Sequence, residues 1–254
     1  MAIKVGCCGW AVRGGRGAYF REFSLIELQS TFYRLPRLKT AIKWKQEAPE
    51  DFEYTLKAWQ ALTHSPRSPT WRRGGPKVPL GKADRYGLLR PTEENIQAWE
   101  KTLEICKALD SHICVFQSPP SFRPSDENVS NMKAFFTTIS RNGVNIAWEP
   151  RGKWHERPGL IAKLCNELDL IHVVDLLKRW PLSSHEIAYV RLHGLNGEVN
   201  YRYKYTDRDL TTLTDRVEKL SHEKTHIYIL FNNIYMADDA KKFLRIARDR
   251  GIVN

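Results

Sequence analysis

The sequence predicts an α/β protein, a (β/α)8 TIM barrel with a long basic loop after the third strand. Eight short apolar runs recur along the 254 residues, and segments with helical periodicity separate most of them. Several runs are apolar on both faces, as in Ile113–Phe116, which is typical of buried parallel strands. The first run lacks the GxGxxG helix entry of a nucleotide-binding doubly wound sheet, which favours the barrel over that fold. We expect one domain over residues 1–254.

The eight predicted strands are mostly rich in β-branched or aromatic residues. They are Ile3–Cys8, Leu25–Thr31, Glu53–Ala58, His112–Gln117, Asn145–Glu149, Ile171–Asp175, Ile187–His193 and His226–Asn232.

Five helices are predicted from apolar stripes at helical spacing. They are Pro91–Asp110, Asp126–Ser140, Arg157–Leu168, Asp207–Leu220 and Ala237–Arg248. Thr92 is a predicted N-cap of the first, and Thr206 with Asp209 has the spacing of a capping box before the fourth.

Residues 60–90 form the predicted basic loop. The segment is rich in proline and glycine, and the part from His64 to Arg90 has seven basic residues and one acidic residue, a net charge of +6 out of +11 for the chain. In a TIM barrel the loop after a strand lies over the catalytic face. We therefore expect His64, Arg72 and Arg73 to contact an anionic substrate.

Composition excludes several classes of protein. Forty-two per cent apolar residues is too many for a disordered chain, and no run is long enough for a membrane span. The five cysteines include no CxxC pair, which indicates reduced thiols and a cytoplasmic protein. The net charge of +11 indicates an anionic partner, and we expect nucleic acid. The oligomeric state stays open.

Polar side chains at the predicted strand ends are the candidate site. Glu149, Asp175 and His193 follow three successive strands and are predicted to act as general acid, general base or ligands of a divalent metal ion. The metal is weakly indicated, because the chain has no HxH or HExxH motif. Further substrate-binding residues are predicted at strand ends or just beyond them: Tyr33, Lys57, Gln117, Arg151, Arg191 and Asn232. The alternative is that these side chains form structural ion pairs that fill the top of the barrel.

Tyr201, Tyr203 and Tyr205 alternate with Arg202 and Lys204. If this segment is extended, one face is aromatic and the other basic, an arrangement that can stack bases and bind phosphates. We expect Tyr201 and Tyr203 to contact substrate. An amphipathic strand covering the barrel edge is the alternative.

Several segments together resemble a known family, with their order kept along nearly the whole chain. They are Gly6–Trp10, similar to GTSGW; Ile26–Pro36, similar to (V/I)EINSTFYRLP; Phe52–His64; Phe116–Phe122, similar to FQLPPSF; Trp148–Arg151; Tyr189–Gly194, matching YVRLHG; and Tyr228–Asn233. On these motifs the chain resembles the YecE-like family of unknown function.

That resemblance implies a TIM barrel like those of endonuclease IV and the sugar isomerases, and so a phosphodiester or nucleic-acid substrate. The chain departs from the family pattern at Ser118, in the Gly- and Arg-rich stretch after Trp10, and in the basic loop. The last two features favour a polyanionic substrate.

Three functions are compatible with these features. The leading hypothesis is a nucleic-acid-processing hydrolase that cleaves phosphodiester bonds in the manner of an endonuclease. A non-catalytic DNA- or RNA-binding protein needs only the basic loop. An enzyme acting on a small anionic metabolite, such as a sugar phosphate, needs the strand-end residues and uses the loop as a lid.

Overall fold

A computed structural model describes residues 1–253, and its eight parallel strands form a closed barrel in the order of the chain. The eight strands are β1 (Ala2–Cys7), β2 (Leu25–Leu28), β3 (Glu53–Lys57), β4 (Ile113–Gln117), β5 (Asn145–Glu149), β6 (Leu170–Val174), β7 (Ile187–Leu192) and β8 (His226–Phe231). The predicted TIM-barrel class is confirmed.

Helices alternate with these strands. They are α1 (Gly15–Glu22), α2 (Ser30–Tyr33), α3 (Leu38–Glu47), α4 (Gln60–Thr63), α5 (Glu93–Ala108), α6 (Asp126–Thr138), α7 (Pro158–Glu167), α8 (Asp207–Ser221) and α9 (Met236–Asp249). The five predicted helices correspond to α5 to α9. Thr92 accepts a hydrogen bond from the Asn95 amide, and Thr206 and Asp209 form the predicted capping box.

The four helices α1 to α4 are additional to the predicted ones. Helix α1 contains two glycines and buries only Tyr19, so it has no apolar stripe to detect. Helix α2 takes over the end of the predicted second strand, which stops at Leu28. Thr31 in α2 donates from its hydroxyl to the carbonyl oxygens of Leu28 and Lys57, and these bonds hold the turn against β3.

Strand pairing explains why the first motif has a glycine at position 6. Gly6 lies opposite Leu25 in the register of β1 with β2. A Cβ added at Gly6 would lie 2.0 Å from the Leu25 carbonyl oxygen, so no other residue fits there without moving the backbone. Glycine at this position therefore permits the close approach of the two strands.

The chain divides into two compact units. The first comprises residues 1–27, 48–53 and 171 onward, and the second comprises residues 28–47 and 54–170. In the first unit β8 pairs with both β1 and β7. In the second unit β4 pairs with β3 and β5, and the outward ring of Phe116 packs against Trp99 and Phe136 of the helices.

The basic loop, residues 60–90, belongs to the second unit and contains local structure. It begins with α4 and includes 3-10 helices at Pro69–Arg73 and Ala83–Arg85. All five cysteines are buried, and none forms a disulfide bond within residues 1–253. Among residues 1–253 no helix is both long enough and apolar enough to cross a membrane.

Candidate functional site

In the second unit, three polar side chains close three neighbouring strands. Lys57 ends β3, Gln117 ends β4 and Glu149 ends β5. The Lys57 Nζ donates to Gln117 Oε1 at 2.9 Å, and Gln117 lies directly opposite Glu149 in the strand register. The parallel register therefore brings these predicted site residues to one edge of the sheet.

Glu149 forms a buried ion pair with Arg151, two residues further along the chain. The strand end that carries Glu149 is fixed by Ser118, whose amide donates to the Glu149 carbonyl at 3.0 Å. The Ser118 hydroxyl accepts from the Trp148 indole at 2.9 Å. Serine thus has a structural reason to replace the leucine of the family pattern, because it satisfies a buried indole N–H.

His64 is buried in the second unit beside Phe32 and Lys57. Its ring packs edge-on against Phe32, over which the Lys57 Nζ also lies, 4.2 Å from the ring centroid. Burial, with a further contribution from the Lys57 charge, lowers the pKa of His64 to about 3. His64 is therefore neutral at physiological pH, and it cannot supply positive charge to an anionic substrate.

Tyr33 lies near Arg73, one of the two predicted loop arginines. Tyr33 ends α2 and is half-buried, and the Arg73 guanidinium lies 6.0 Å from the centroid of its ring. Arg72 and Arg73 are exposed on the 3-10 helix Pro69–Arg73. The cations predicted to meet an anion thus face solvent.

Hydrogen bonds from buried side chains fix the basic loop at both ends. The Asn95 carboxamide, on α5, accepts from the Gly87 amide and donates to the carbonyls of Gly87 and Arg90. The Trp71 indole donates to the His64 carbonyl at 3.0 Å, and the Gln60 amide nitrogen donates to the Gly74 carbonyl. The loop cations are therefore held on a defined backbone.

Five of the seven loop cations fall into two groups. Lys82 and Arg85 bind the carboxylate of Glu94, at 3.1 and 3.0 Å. The side chains of Arg67, Arg72 and Lys77 have no carboxylate within ion-pair distance among residues 1–253. These last three side chains are exposed, so their charge is directed to solvent.

In the first unit, Arg191 is engaged inside the barrel. Its Nη2 donates to Glu27 Oε1 at 2.9 Å, and the Tyr189 hydroxyl donates to Glu27 Oε2 at 3.0 Å. Both charged side chains are 0% exposed. Burial raises the pKa of the adjacent Cys8 thiol, with Glu27 adding to the effect and Arg191 opposing it. The charge of Arg191 is therefore compensated inside the protein, and its contact with substrate stays a prediction.

Asp175 accepts several hydrogen bonds just after β6. Its Oδ1 accepts from the Leu177 amide, and its Oδ2 accepts from the His193 amide at 3.3 Å and pairs with Lys178 at 3.1 Å. Burial raises the pKa of Asp175, and Lys178 opposes that effect. The carboxylate holds the backbone at His193, so two of the predicted catalytic residues lie together.

The Arg191 carbonyl oxygen determines the tautomer of the neutral His193 ring. The Nδ1 atom lies 3.1 Å from that oxygen, which can only accept. In the neutral ring the proton is therefore on Nδ1, and Nε2 carries the lone pair. A neutral histidine can act as a general base, and this one is buried, 2% exposed, just after β7.

The tyrosine segment after β7 is a turn followed by an irregular stretch, so the extended strand on which an aromatic face and a basic face depended is not formed. Tyr201 is exposed and its ring packs edge-on against His193. The Tyr203 hydroxyl donates to Asp209, and the Tyr205 hydroxyl is buried and accepts from the Gly194 amide. Only Tyr201 of the three presents a largely exposed ring.

The turn after β8 contains Asn232, a predicted substrate-binding residue, and its neighbour Asn233. Asn232 is half-buried, whereas Asn233 is buried and donates to the Tyr203 carbonyl and to Asp239. Glu27 was missed, although a carboxylate inside the apolar run Leu25–Thr31 is a signal that a partner exists. Within residues 1–253 no group of three or more His, Cys, Asp or Glu side chains is placed to hold a metal ion.

Comparison with known proteins covers almost the whole chain. The model of the family described as "Protein of unknown function DUF72" matches residues 4–252. UPF0759 protein YunF of Bacillus subtilis is 24% identical, over 90% of this chain and 85% of its own length. A DUF72 family protein of Thermotoga maritima has a solved structure with a TM-score of 0.70 and 22% identity, covering 98% of this chain and 100% of the other.

Solved structures with lower similarity share the fold alone. A D-tagatose 3-epimerase-like protein has a TM-score of 0.59 at 15% identity, covering 98% of this chain and 99% of its own. Endonuclease IV from Thermus thermophilus has a TM-score of 0.52 at 12% identity, covering 97% and 98%. At these identities the likeness establishes a common barrel architecture.

Proposed function

This chain belongs to the DUF72 family of proteins of unknown function, and we propose that it binds nucleic acid and hydrolyses phosphodiester bonds in it. We also propose that the YecE-like proteins, whose motifs it resembles, are part of the same family. The cytoplasm, expected from the reduced cysteines, is the proposed location.

The observation that carries the proposal is the ordered basic loop. Arg67, Arg72 and Lys77 present positive charge to solvent on a backbone fixed by Asn95 and Gln60. A polyanion that binds three such cations releases its own condensed counterions, which drives association. Because the backbone is already fixed, binding does not have to order the loop.

For the hydrolytic step we assign His193 as the proton acceptor. Its Nε2 takes a proton from water, the water oxygen forms a bond to phosphorus, and the bond from phosphorus to the leaving oxygen breaks. The leaving oxygen then takes up a proton from the imidazolium or from solvent. Asp175 is a positioning residue in this scheme, because it accepts the backbone amide of His193.

Lys57, Gln117 and Arg151 are the proposed phosphate ligands of the second unit. Glu149 positions the Arg151 guanidinium through the buried ion pair. The likeness to endonuclease IV is compatible with phosphodiester chemistry on this fold, and it carries no residue assignment.

The binding half is tested by replacing Arg67, Arg72 and Lys77 together with glutamine. Affinity for labelled DNA and RNA is measured by fluorescence anisotropy over a range of salt concentrations. Each phosphate contact contributes about 0.7 to 0.9 to the magnitude of the slope of log K against log salt. Replacing three cations should therefore lower that magnitude by about two to three. The matched control is Lys39, Lys101 and Lys107 to glutamine, which removes the same charge from exposed helix positions and should leave the slope unchanged. A slope near zero in the wild-type protein would reject nucleic-acid binding.

The catalytic half is tested with labelled single- and double-stranded DNA and RNA, with and without Mg²⁺, Mn²⁺ or Zn²⁺. We expect cleavage that falls by at least about a hundredfold in His193→Gln, the scale of general acid–base catalysis. His226→Gln, at the exposed start of β8, is the control and should cleave normally. Absence of cleavage under every condition, or cleavage unchanged in both His193→Gln and Glu149→Gln, would reject the hydrolase.

A small anionic metabolite is the second candidate substrate, favoured by the burial of Lys57 and Arg151 at the strand ends. Under that function the triple loop variant loses nucleic-acid affinity but keeps its affinity for a sugar phosphate. Under the nucleic-acid function no saturable sugar-phosphate binding is found. Isothermal titration with both ligands separates the two.

A further inference from the structure

We propose that the exposed rings of Tyr201 and Tyr235 form a stacking surface for the unpaired bases of single-stranded nucleic acid. The proposal rests on the proposed function and narrows its substrate to a strand with accessible bases. Tyr201 is 49% exposed and Tyr235 is 36% exposed, and Ile234, next to Tyr235 in the chain, is 64% exposed. A base offers a flat face on which an exposed tyrosine ring can stack.

A groove of about 570 Å³ opens beside Tyr235 in the first unit. Its lining combines apolar and charged side chains: Ala11, Val12, Ile234, Tyr235, Met236, Ala237, Arg13, Asp238 and Lys241. The aliphatic and aromatic members of this lining suit the face of a base, and Arg13 is exposed at the groove for a phosphate. Lys241 is bound to Glu22, so its charge is already compensated.

Hydrogen bonds fix the backbone of the two turns that carry the stacking surface. The Ile234 amide donates to the Tyr201 carbonyl at 2.8 Å, which ties the turn after β7 to the turn after β8. The buried Asn233 carboxamide donates to the Tyr203 carbonyl at 2.7 Å and to Asp239 at 2.6 Å. Because these turns are already fixed, stacking does not have to order them.

Charge at the same surface selects an anionic strand. Lys204 Nζ lies 5.3 Å from the centroid of the Tyr235 ring, and Arg202 is exposed next to Tyr201 in the chain. A base stacked on either ring would bring its phosphate toward one of these cations. A neutral peptide would not pair with these cations, and an acidic peptide lacks the regular alternation of flat base and phosphate that this surface matches.

Tyr201 also connects the stacking surface to the proposed proton acceptor. Its ring centroid lies 6.1 Å from that of His193, in an edge-on arrangement. A base on the outer face of Tyr201 therefore places the strand next to the residue that the hydrolytic step uses. Stacking would position the scissile phosphate, in addition to adding affinity.

The test compares two labelled oligonucleotides of equal length and charge, one of thymidine and one abasic throughout. We expect the wild-type protein to bind the thymidine strand at least about tenfold more tightly, since each stacked base contributes about 1–3 kcal/mol. The variant Tyr201→Ala/Tyr235→Ala should bind the two equally, and Tyr201→Phe/Tyr235→Phe should keep the preference because it keeps both rings. Leu38→Ala/Ile42→Ala removes exposed apolar side chains from α3 and serves as the control.

The outcomes separate this inference from the function it rests on. Equal binding of both strands by the wild type, with a steep salt dependence, overturns the stacking surface and leaves nucleic-acid binding intact. A preference for thymidine that survives in the double alanine variant also overturns it. No binding of either strand overturns both. Tighter binding of an acidic or neutral peptide than of the thymidine strand would assign the surface to a protein partner and reject the inference.

Discussion

The pair of Glu27 and Arg191 and the basic loop use positive charge in opposite ways. Arg191 is wholly buried, and its guanidinium is neutralised by a carboxylate at 2.9 Å. Arg67, Arg72 and Lys77 are exposed and have no carboxylate partner among the described residues. In the first arrangement a carboxylate compensates the positive charge inside the protein, and in the second the positive charge remains exposed to solvent.

This difference shows why residue type alone does not assign a role. Arginine at a strand end and arginine in a loop look equally suited to bind phosphate in the sequence. The environment decides, because a buried guanidinium must be compensated inside the protein whereas an exposed one is compensated by water until an anion arrives. Each experiment below changes one side of this comparison.

The largest effect is expected for Arg191→Met. The change leaves the Glu27 carboxylate buried with its cation removed, so the free energy of unfolding should fall by about 3–5 kcal/mol, measured by urea denaturation. Adding Glu27→Gln removes the second charge and keeps an acceptor for the Tyr189 hydroxyl, so the double variant should recover much of the loss. Equal stability of the single and double variants would show that the pair is not the cause.

An intermediate effect is expected at His64. Burial keeps the His64 imidazole neutral, whereas Arg191 stays charged and is paired with Glu27. Its folded pKa of about 3 lies below the ordinary 6.5. The unfolded chain therefore takes up the proton first, and stability that is complete above pH 6.5 is lost as the pH falls toward 3. Between pH 7 and pH 5 the wild type should lose about 2 kcal/mol more than His64→Gln, by urea denaturation. His226→Gln, which removes an exposed imidazole, should follow the wild type; parallel curves for all three proteins would contradict the assignment.

The smallest effect is a gain of affinity on the other side of the comparison. Glu94 is the carboxylate that engages Lys82 and Arg85, and its pKa is lowered to about 2 by its own backbone N–H and by these two cations, against the effect of desolvation. Glu94→Gln should release both cations and tighten nucleic-acid binding about two- to fivefold, the scale of exposed ion pairs. Glu93→Gln changes the same charge at an exposed neighbour without touching the loop, and its affinity should stay at the wild-type value. A gain in both variants would indicate net charge alone.

The sequence predicted the barrel because its strands are buried on both faces. Residues such as Ile113–Phe116 are apolar on both faces of the strand. This pattern can be recognised without knowing which strands pair with each other. Helix α1 escaped prediction because it buries a single side chain, Tyr19, and has no apolar stripe. Helix α3 is amphipathic and was missed although its sequence carries a periodic pattern.

The candidate site residues were predicted from their positions at strand ends, but their partners were not. Glu149 pairs with Arg151 and Asp175 with Lys178, two and three residues along the chain. The partner of Arg191 lies 164 residues away, and nothing local indicates it. The exposure of Tyr201 and the burial of Tyr205 depend on a turn tied to β8, which alternation in the sequence cannot reveal.

The anchoring of the basic loop has an evolutionary consequence. Gly87 donates to the Ala61 carbonyl at 2.7 Å and Leu89 donates to the Leu62 carbonyl at 3.0 Å, so the chain leaves and returns at one place. The segment between these bonds is a closed loop, and doubling its length would cost only about 0.6 kcal/mol in loop-closure entropy. Relatives can therefore differ in the length and sequence of this segment at little cost in stability, while Asn95 and the barrel beneath it stay the same. Under the proposed function, such differences would change which ligand is preferred.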